Sequence, residues 1–422
     1  MHLIETGPGP GSGGGGAAGV PDPAGGPAAG PVARVVAVEL RWLALHLAAD
    51  HRAAYGREHR RPVVVARVAV ELGSGAGAGA GAGGGEVSWG WGECAALAAP
   101  TYDEEHAGGA WTVLCSHLAP RLLGARVPAG DDLLSTLTGV GWVLGAVRGH
   151  RMAKACLEMG VADAVLRAGG RSLAATLGVE AASVPAGAAV GLPDDAGRAR
   201  EEVARAVDAG FGRVRVKIAP GCDVEPLRAL RQAFPQVLLQ ADANGSYSRD
   251  SARRLDALDE LGLACIEQPL DPADLLGHAE LVRRWRTPVC LDESVRDPAD
   301  VEVVAALGAA GVLCLKPARL GGIGPAADAA ARAAARGLGV WCGGMLQTGL
   351  GRAVDAAVSG LPGFTMAGDL GSPWPPFAEP DPFGPVPVAA GAAAVHRAAG
   401  VGPVPDPALL RAVTTRRWAA RA

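Results

Sequence analysis

The chain has 422 residues, 49% of them hydrophobic and 4% aromatic, and a formal net charge of −4. It is longer than one ordinary domain, with room for a barrel of about 250 residues plus a second unit, and its mild charge without a long basic run speaks against nucleic acid as a partner. No apolar run reaches the roughly 18 residues of a membrane span, and eight scattered cysteines without a C-x-x-C pair read as reduced thiols of a cytoplasmic protein.

Residues 1–31 are mostly Gly, Pro and Ala, with no cationic region followed by an apolar core, so they are not read as a secretory leader. Such a segment cannot bury enough surface to offset its ordering entropy, and a disordered tail is expected. A capping unit is expected over 32–165. It opens with strands at 32–47 and 61–73, separated by the polar loop ADHRAAYGREHRR, and a third strand at 86–97 completes a meander. The low-complexity run at 73–85, GSGAGAGAGAGGG, is expected to be an expanded hairpin insertion. Helical periodicity fills much of 103–178, including HRMAKACLEMGVADAVLRA at 150–168.

From about residue 183, short apolar strands alternate with Ala-rich helices. Strands are expected at 184–192, 213–218, 237–244, 264–270, 287–294, 311–320 and 339–346, with a weaker eighth at 364–370. Helices such as 195–210 and 223–234 lie between them. Strand–helix units repeated in this way mean a parallel sheet, most economically closed into a barrel, here over 166–370. The Pro- and Gly-rich segment 371–422 is expected to return to the first unit.

One charged residue stands near the C-terminal end of each of five successive strands: Lys217, Asp242, Glu267, Asp292 and Lys316, spaced 24 or 25 residues apart. In such a barrel those ends converge on the face where active sites are built. Singly, each carboxylate also reads as a helix N-cap or loop residue; the repetition favours one shared site. Three buried carboxylates would raise one another's pKa values unless a cation lay among them. An all-oxygen set, read as having no His or Cys nearby, points to magnesium, or manganese in its place, over zinc. The two lysines flank the trio. A lysine whose pKa is lowered by a neighbouring cation can take a proton alpha to a carboxylate, while the metal stabilises the enediolate. The plainer alternative is that both lysines only pair with the carboxylates. Arg215 shares the strand face of Lys217 but stays charged, so it can position substrate and not act as the base.

These residues occur with GWGECAALAAPTYDEEHAGGAW (90–111), VKIAPG (216–221), DAN (242–244), IEQPL (266–270), LDES (291–294), KPARLGG (316–322) and WCGGMLQTGLGRA (341–353). Together they resemble the enolase superfamily, and within it the muconate-lactonizing subgroup with its o-succinylbenzoate synthases and N-succinylamino acid racemases. The resemblance covers roughly 33–370. It implies an α/β fold: a (β/α)7β TIM-like barrel with an α+β capping domain built from the N-terminal region and the C-terminal segment.

The same resemblance implies Asp242, Glu267 and Asp292 as Mg2+ ligands (Mn2+ as a possible substitute), Lys217 as the base and Lys316 as its opposing acid/base or cation. Asn244 and Glu293 match partners of the metal and lysines, and Arg319 lies in the loop beside Lys316. Tyr102 and the loop at 50–60 match cap elements over the substrate. Gly343, Gly344, Met345 and Gln347 belong to a loop that approaches it. Two residues depart from the family pattern: Arg215 stands where lysine is usual and Gln347 where many relatives have Glu. The implied activity is that of an o-succinylbenzoate synthase, dehydrating 2-succinyl-6-hydroxy-2,4-cyclohexadiene-1-carboxylate to 2-succinylbenzoate in menaquinone biosynthesis. An N-succinylamino acid (N-acylamino acid) racemase or a bifunctional enzyme is the alternative. Dipeptide epimerase, muconate cycloisomerase and a catalytically inactive binding barrel are lesser ones. A small-molecule carboxylate substrate and a homo-oligomer are implied, with neither nucleic acid nor membrane as partner.

Overall fold

The computed structural model describes residues 3–6, 31–73, 85–192, 196–371 and 376–422. Valine-rich strands build the first unit, because a β-branched side chain packs well on a half-buried pleated face. Its strands are β1 (Leu3–Thr6), β2 (Val32–Ala53), β3 (Gly56–Leu72), β4 (Glu86–Cys94) and the short β5 (Arg126–Pro128). Within the segment expected as a disordered tail, Leu3–Thr6 is thus a strand; the rest of that tail and the 74–84 part of the insertion lie outside the described residues. The polar segment 48–60, expected as a loop, is instead the tip of a long hairpin in which His51 pairs with Glu58 and Ala53 with Gly56. A ladder is held by backbone groups, so polar side chains do not end it. Gly90 and Gly92 let β4 lie against the helix Arg151–Ala168: a Cβ on either glycine would run into that helix's backbone at Gly160 and its neighbours.

The second unit begins after β6 (Ser183–Pro185). Seven strands follow: β7 (Ala188–Val190), β8 (Arg213–Lys217), β9 (Leu238–Asp242), β10 (Ile266–Glu267), β11 (Val289–Leu291), β12 (Val312–Leu315) and β13 (Gly339–Cys342). They form one parallel sheet in sequence order. All five residues of β8 are buried, as expected for a strand covered on both faces. The expected eighth strand at 364–370 is not regular. Met366 N donates to Val340 O (3.1 Å), Asp369 N to Cys342 O (2.8 Å) and Gly187 N to Gly368 O (2.6 Å), so this segment closes the ring between β13 and β7 by a few backbone bonds. Glycines at 363, 368 and 371 weaken a continuous ladder there.

Beyond the barrel, β14 (Val388–Ala389) pairs with β15 (Ala392–Ala394) and β15 with β6, and β16 (Thr414–Arg421) runs antiparallel to β2 and parallel to β1. The C-terminal segment therefore joins both units. Among the described residues, no helix is long and apolar enough to cross a membrane.

Candidate active site

The strand register sets the site. Lys217 pairs with Asp242 across β8 and β9, and Asp242 with Glu267 across β9 and β10, so the three side chains project at one level. Asp292 and Lys316 follow immediately after the ends of β11 and β12. All five are buried. Lys217 Nζ donates to Asp242 Oδ2 (2.9 Å) and to Asn244 Oδ1 (2.6 Å). Lys316 Nζ donates to Asp292 Oδ2 (2.6 Å) and to the Tyr102 hydroxyl (2.6 Å), which itself donates to Asp292 Oδ2 (2.9 Å). The two ammonium groups are thus held on different carboxylates, with the Glu267 strand between them. Asn244 has a left-handed backbone (φ 43°), a conformation asparagine tolerates better than most residues. Its N–H reaches Asp242 Oδ1 (3.0 Å), and its amide donates to Glu293 Oε1 (3.0 Å). Arg319 donates to Asp292 Oδ1 (2.8 Å) and to the Glu293 carbonyl (3.2 Å).

Burial works against charge on Lys217, but the Asp242 carboxylate and Tyr55 outweigh it, and the amine is held above its ordinary value. Lys316 is likewise held well above its usual range, its burial overcome by Asp292 and Tyr102. For Glu267, burial and the Asp242 and Asp292 charges push the carboxyl far up despite Arg215. Burial and the same two aspartates push Glu293 up to about 7, and its Oε2 is buried without a hydrogen-bond partner. Three carboxylates on consecutive strands, one of them too crowded by negative charge to ionise readily, beside an orphaned carboxylate oxygen, fit a hard divalent cation. Glu267 and Asp292 each offer an oxygen within one compact group, which also takes in Cys314 Sγ. Asp242 is turned towards its cations and lies outside that group. The expectation that no Cys or His lies nearby is therefore corrected: Cys314 precedes Lys316 by two positions and shares its inward face.

Arg215 departs from a simple substrate-positioning role. Its Nη1 bridges Asp242 Oδ2 (2.6 Å) and Glu267 Oε1 (3.2 Å), and its Nη2 lies 2.5 Å from Asp369 Oδ2. Beneath it, Arg213 donates to Asp369 Oδ1 (2.7 Å) and to Gln240, whose amide donates to Glu267 Oε2 (2.7 Å). Asp369 and Gln240 were not expected in the site. Asp369 sits at the end of the irregular eighth segment, beyond β13 and outside the ladder of five.

A cavity of about 460 Å³ opens over these groups, lined among others by Lys217, Asn244, Lys316, Tyr55, Tyr102 and Met345. Tyr55 and Tyr102, both from the cap, stand 5.3 Å apart between ring centres. His51 from the hairpin tip also lines it, kept neutral by burial and by Lys217 and Arg215, with its pKa lowered to about 3. Gly344 lines the cavity against Arg352, while Gly343 lies against Cys314 and Lys316. Gln347 does not line the cavity: its Oε1 accepts from Met345 N (2.8 Å) and braces the loop. That loop is clasped by the cap. Arg61, fully buried, donates to the carbonyls of Met345 (3.1 Å) and Leu346 (3.0 Å), and Glu93 accepts from Thr348 N (3.0 Å) and Gly351 N (3.0 Å). Neither Arg61 nor Glu93 stood out in the sequence, because each reaches this loop at backbone more than 250 positions away.

Comparison with known proteins agrees with this geometry. A family model described as "Enolase C-terminal domain-like" matches residues 198–409. An N-succinylamino acid racemase of Amycolatopsis sp is 41% identical over 381 residues, covering 90% of this chain and 97% of the relative. An o-succinylbenzoate synthase of Geobacillus stearothermophilus is 35% identical over 332 residues, covering 79% of this chain and 83% of the relative. The crystal structure of an enolase-superfamily protein from Listeria innocua superposes with a TM-score of 0.82 at 30% identity, over 92% of this chain and 99% of that one.

Proposed function

Since this chain belongs to the enolase superfamily, we propose that it abstracts the proton alpha to a carboxylate in the manner of its relatives, and that its reaction is the dehydration of 2-succinyl-6-hydroxy-2,4-cyclohexadiene-1-carboxylate to 2-succinylbenzoate. The observation that carries the reading is the pair of buried lysines held on Asp242 and Asp292, facing one cavity from strands four places apart in the sheet. Lys217 takes the alpha proton, and Lys316, kept cationic by Asp292 and Tyr102, stabilises the enolised carboxylate. Asp242, Glu267 and Asp292 would hold a divalent cation, for which magnesium suits the hard oxygen donors. Such a cation supplies positive charge to the developing oxyanion and takes up the Asp242 charge that otherwise keeps Lys217 protonated. Loss of the ring hydroxyl as water then gives an aromatic product, which drives the elimination. Tyr55, Tyr102 and the hairpin tip exclude bulk water from the reacting face.

Racemisation of N-succinylamino acids is the second reading, favoured by the opposed lysines and by the Amycolatopsis relative. It asks both amines to exchange protons with one carbon, from opposite faces. The buried free cysteines suit a cytoplasmic protein, and a homo-oligomer goes with the reading. The test is a magnesium-dependent assay of the dehydration run beside N-succinylamino acid racemisation. Lys217→Ala should lose about 10²–10⁴-fold in dehydration while still binding the metal; unchanged turnover would sink the assignment.

A further inference from the structure

Cys314 has no part in the chemistry above, yet it stands at the carboxylate centre. Its Sγ and one oxygen each from Glu267 and Asp292 lie within 4.8 Å of one another. The thiol is free and 1% exposed. Gly343, at the end of the adjacent strand, leaves room for it: a Cβ there would collide with Cys314 Sγ and stand 2.5 Å from Lys316 Cε. Next to Asp292 in the chain, Glu293 keeps its buried Oε2 without a hydrogen-bond partner. Glu267, Asp292 and Cys314 make a mixed donor set of two hard carboxylates and one soft sulfur. Thiolate selects ions that carboxylates alone do not favour over magnesium.

We propose that this centre is an oxygen–sulfur site, in which Cys314 ligates thiophilic divalent ions of the cobalt(II), zinc and cadmium class together with Glu267 and Asp292. The step is a ligand exchange without redox change: the metal–sulfur bond forms as the S–H bond breaks, and the proton leaves to solvent. Burial alone disfavours the thiolate, and the ion's charge reverses that preference. With magnesium, which prefers oxygen, the thiol stays protonated and unligated. The inference rests on reading the carboxylates as a metal centre.

The experiment titrates the full chain with cobalt(II) and follows the near-ultraviolet sulfur-to-cobalt charge-transfer band, with an indicator dye counting released protons. Manganese(II) binding, followed by electron paramagnetic resonance, reports the oxygen donors separately. The wild type should develop the band and release one proton more per ion than Cys314→Ser does. Cys314→Ser should lose the band and at least tenfold in cobalt affinity while binding manganese as the wild type does; Cys290→Ser, whose sulfur accepts from Trp341 Nε1 (3.3 Å), should keep the band. A cadmium titration of the wild type, read by sulfur-to-cadmium absorption, requires no variant. Manganese binding without any thiolate band would overturn the role of Cys314 alone, as would a band that survives in Cys314→Ser. Failure of every ion to bind would overturn the metal-centre reading and this inference with it.

Discussion

Glu158 couples the cap to the loop that carries Lys316, and its removal is the sharpest test of that coupling. Its carboxylate accepts from Ile323 N (2.6 Å) and Gly324 N (3.0 Å), at the start of the helix Ile323–Ala335 that follows KPARLGG. Gly322 exists as glycine because a Cβ would collide with this carboxylate. Glu158→Ala orphans two buried helix-start donors, each costing about 1–3 kcal/mol, so a loss of about 2–6 kcal/mol is expected. Burial pushes the Glu158 carboxyl up to about 8, against which the two backbone donors work only in part. The folded chain therefore binds more protons at this group than the unfolded chain between about 4.5 and 8. Stability from this group is full below the unfolded value and falls as pH rises through that window. Glu158→Gln imitates the protonated form and removes the slope. At up to about 1.4 kcal/mol per pH unit, the variant should gain about 2–3 kcal/mol on the wild type between pH 5.5 and 7.5. Urea midpoints at the two pH values measure it. A gap that does not change with pH would refute the assignment of Glu158 as a buried, pH-sensitive cap.

Tyr102→Phe removes the hydroxyl that accepts from Lys316 and donates to Asp292. A hydrogen bond to a charged group is worth about 1.5–3 kcal/mol, so kcat/KM should fall about 10- to 100-fold with the unfolding midpoint little changed; equal turnover would detach Tyr102 from the chemistry. Gly343→Ala must push Cys314 and Lys316 aside and should cost about 1–3 kcal/mol together with most activity. Gly141→Ala, in the helix Leu133–Gly145 with open space at its Cβ, should be neutral or stabilising by up to about 1 kcal/mol. Equal melting shifts for the two variants would argue against close packing at Gly343.

The barrel was legible because two periods coincide in the chain. Strand alternation sets which side chains point inward, and the strand–helix repeat returns one charge to the same rim every 24 or 25 residues. Residues brought to the rim by their own place in that repeat, Lys217 and Glu267 among them, could be named from spacing alone. What spacing did not reveal depends on contacts distant in sequence. Asp369 closes the ring from a segment too rich in glycine to read as a firm strand. Cys314 hid inside the apolar run GVLCL, where a thiol passes for a core residue. Arg61 and Glu93 hold the Met345–Gly351 loop from the cap, and nothing local marks them. The polar hairpin tip was misjudged for a different reason: hydropathy describes side chains, whereas backbone pairing extends β2 to Ala53.

The proposed dehydration and the racemising second reading share one claim, that the substrate's alpha carbon is held between Lys217 and Lys316, and hydrogen exchange on N-succinylamino acid enantiomers in deuterated water tests it most directly. In the wild type with magnesium, both enantiomers should exchange the alpha proton. Arginine keeps the charge but cannot pass a proton, so Lys217→Arg and Lys316→Arg should each abolish exchange for one enantiomer, and not the same one. Loss of exchange from the same enantiomer in both variants, or from neither, would contradict the account.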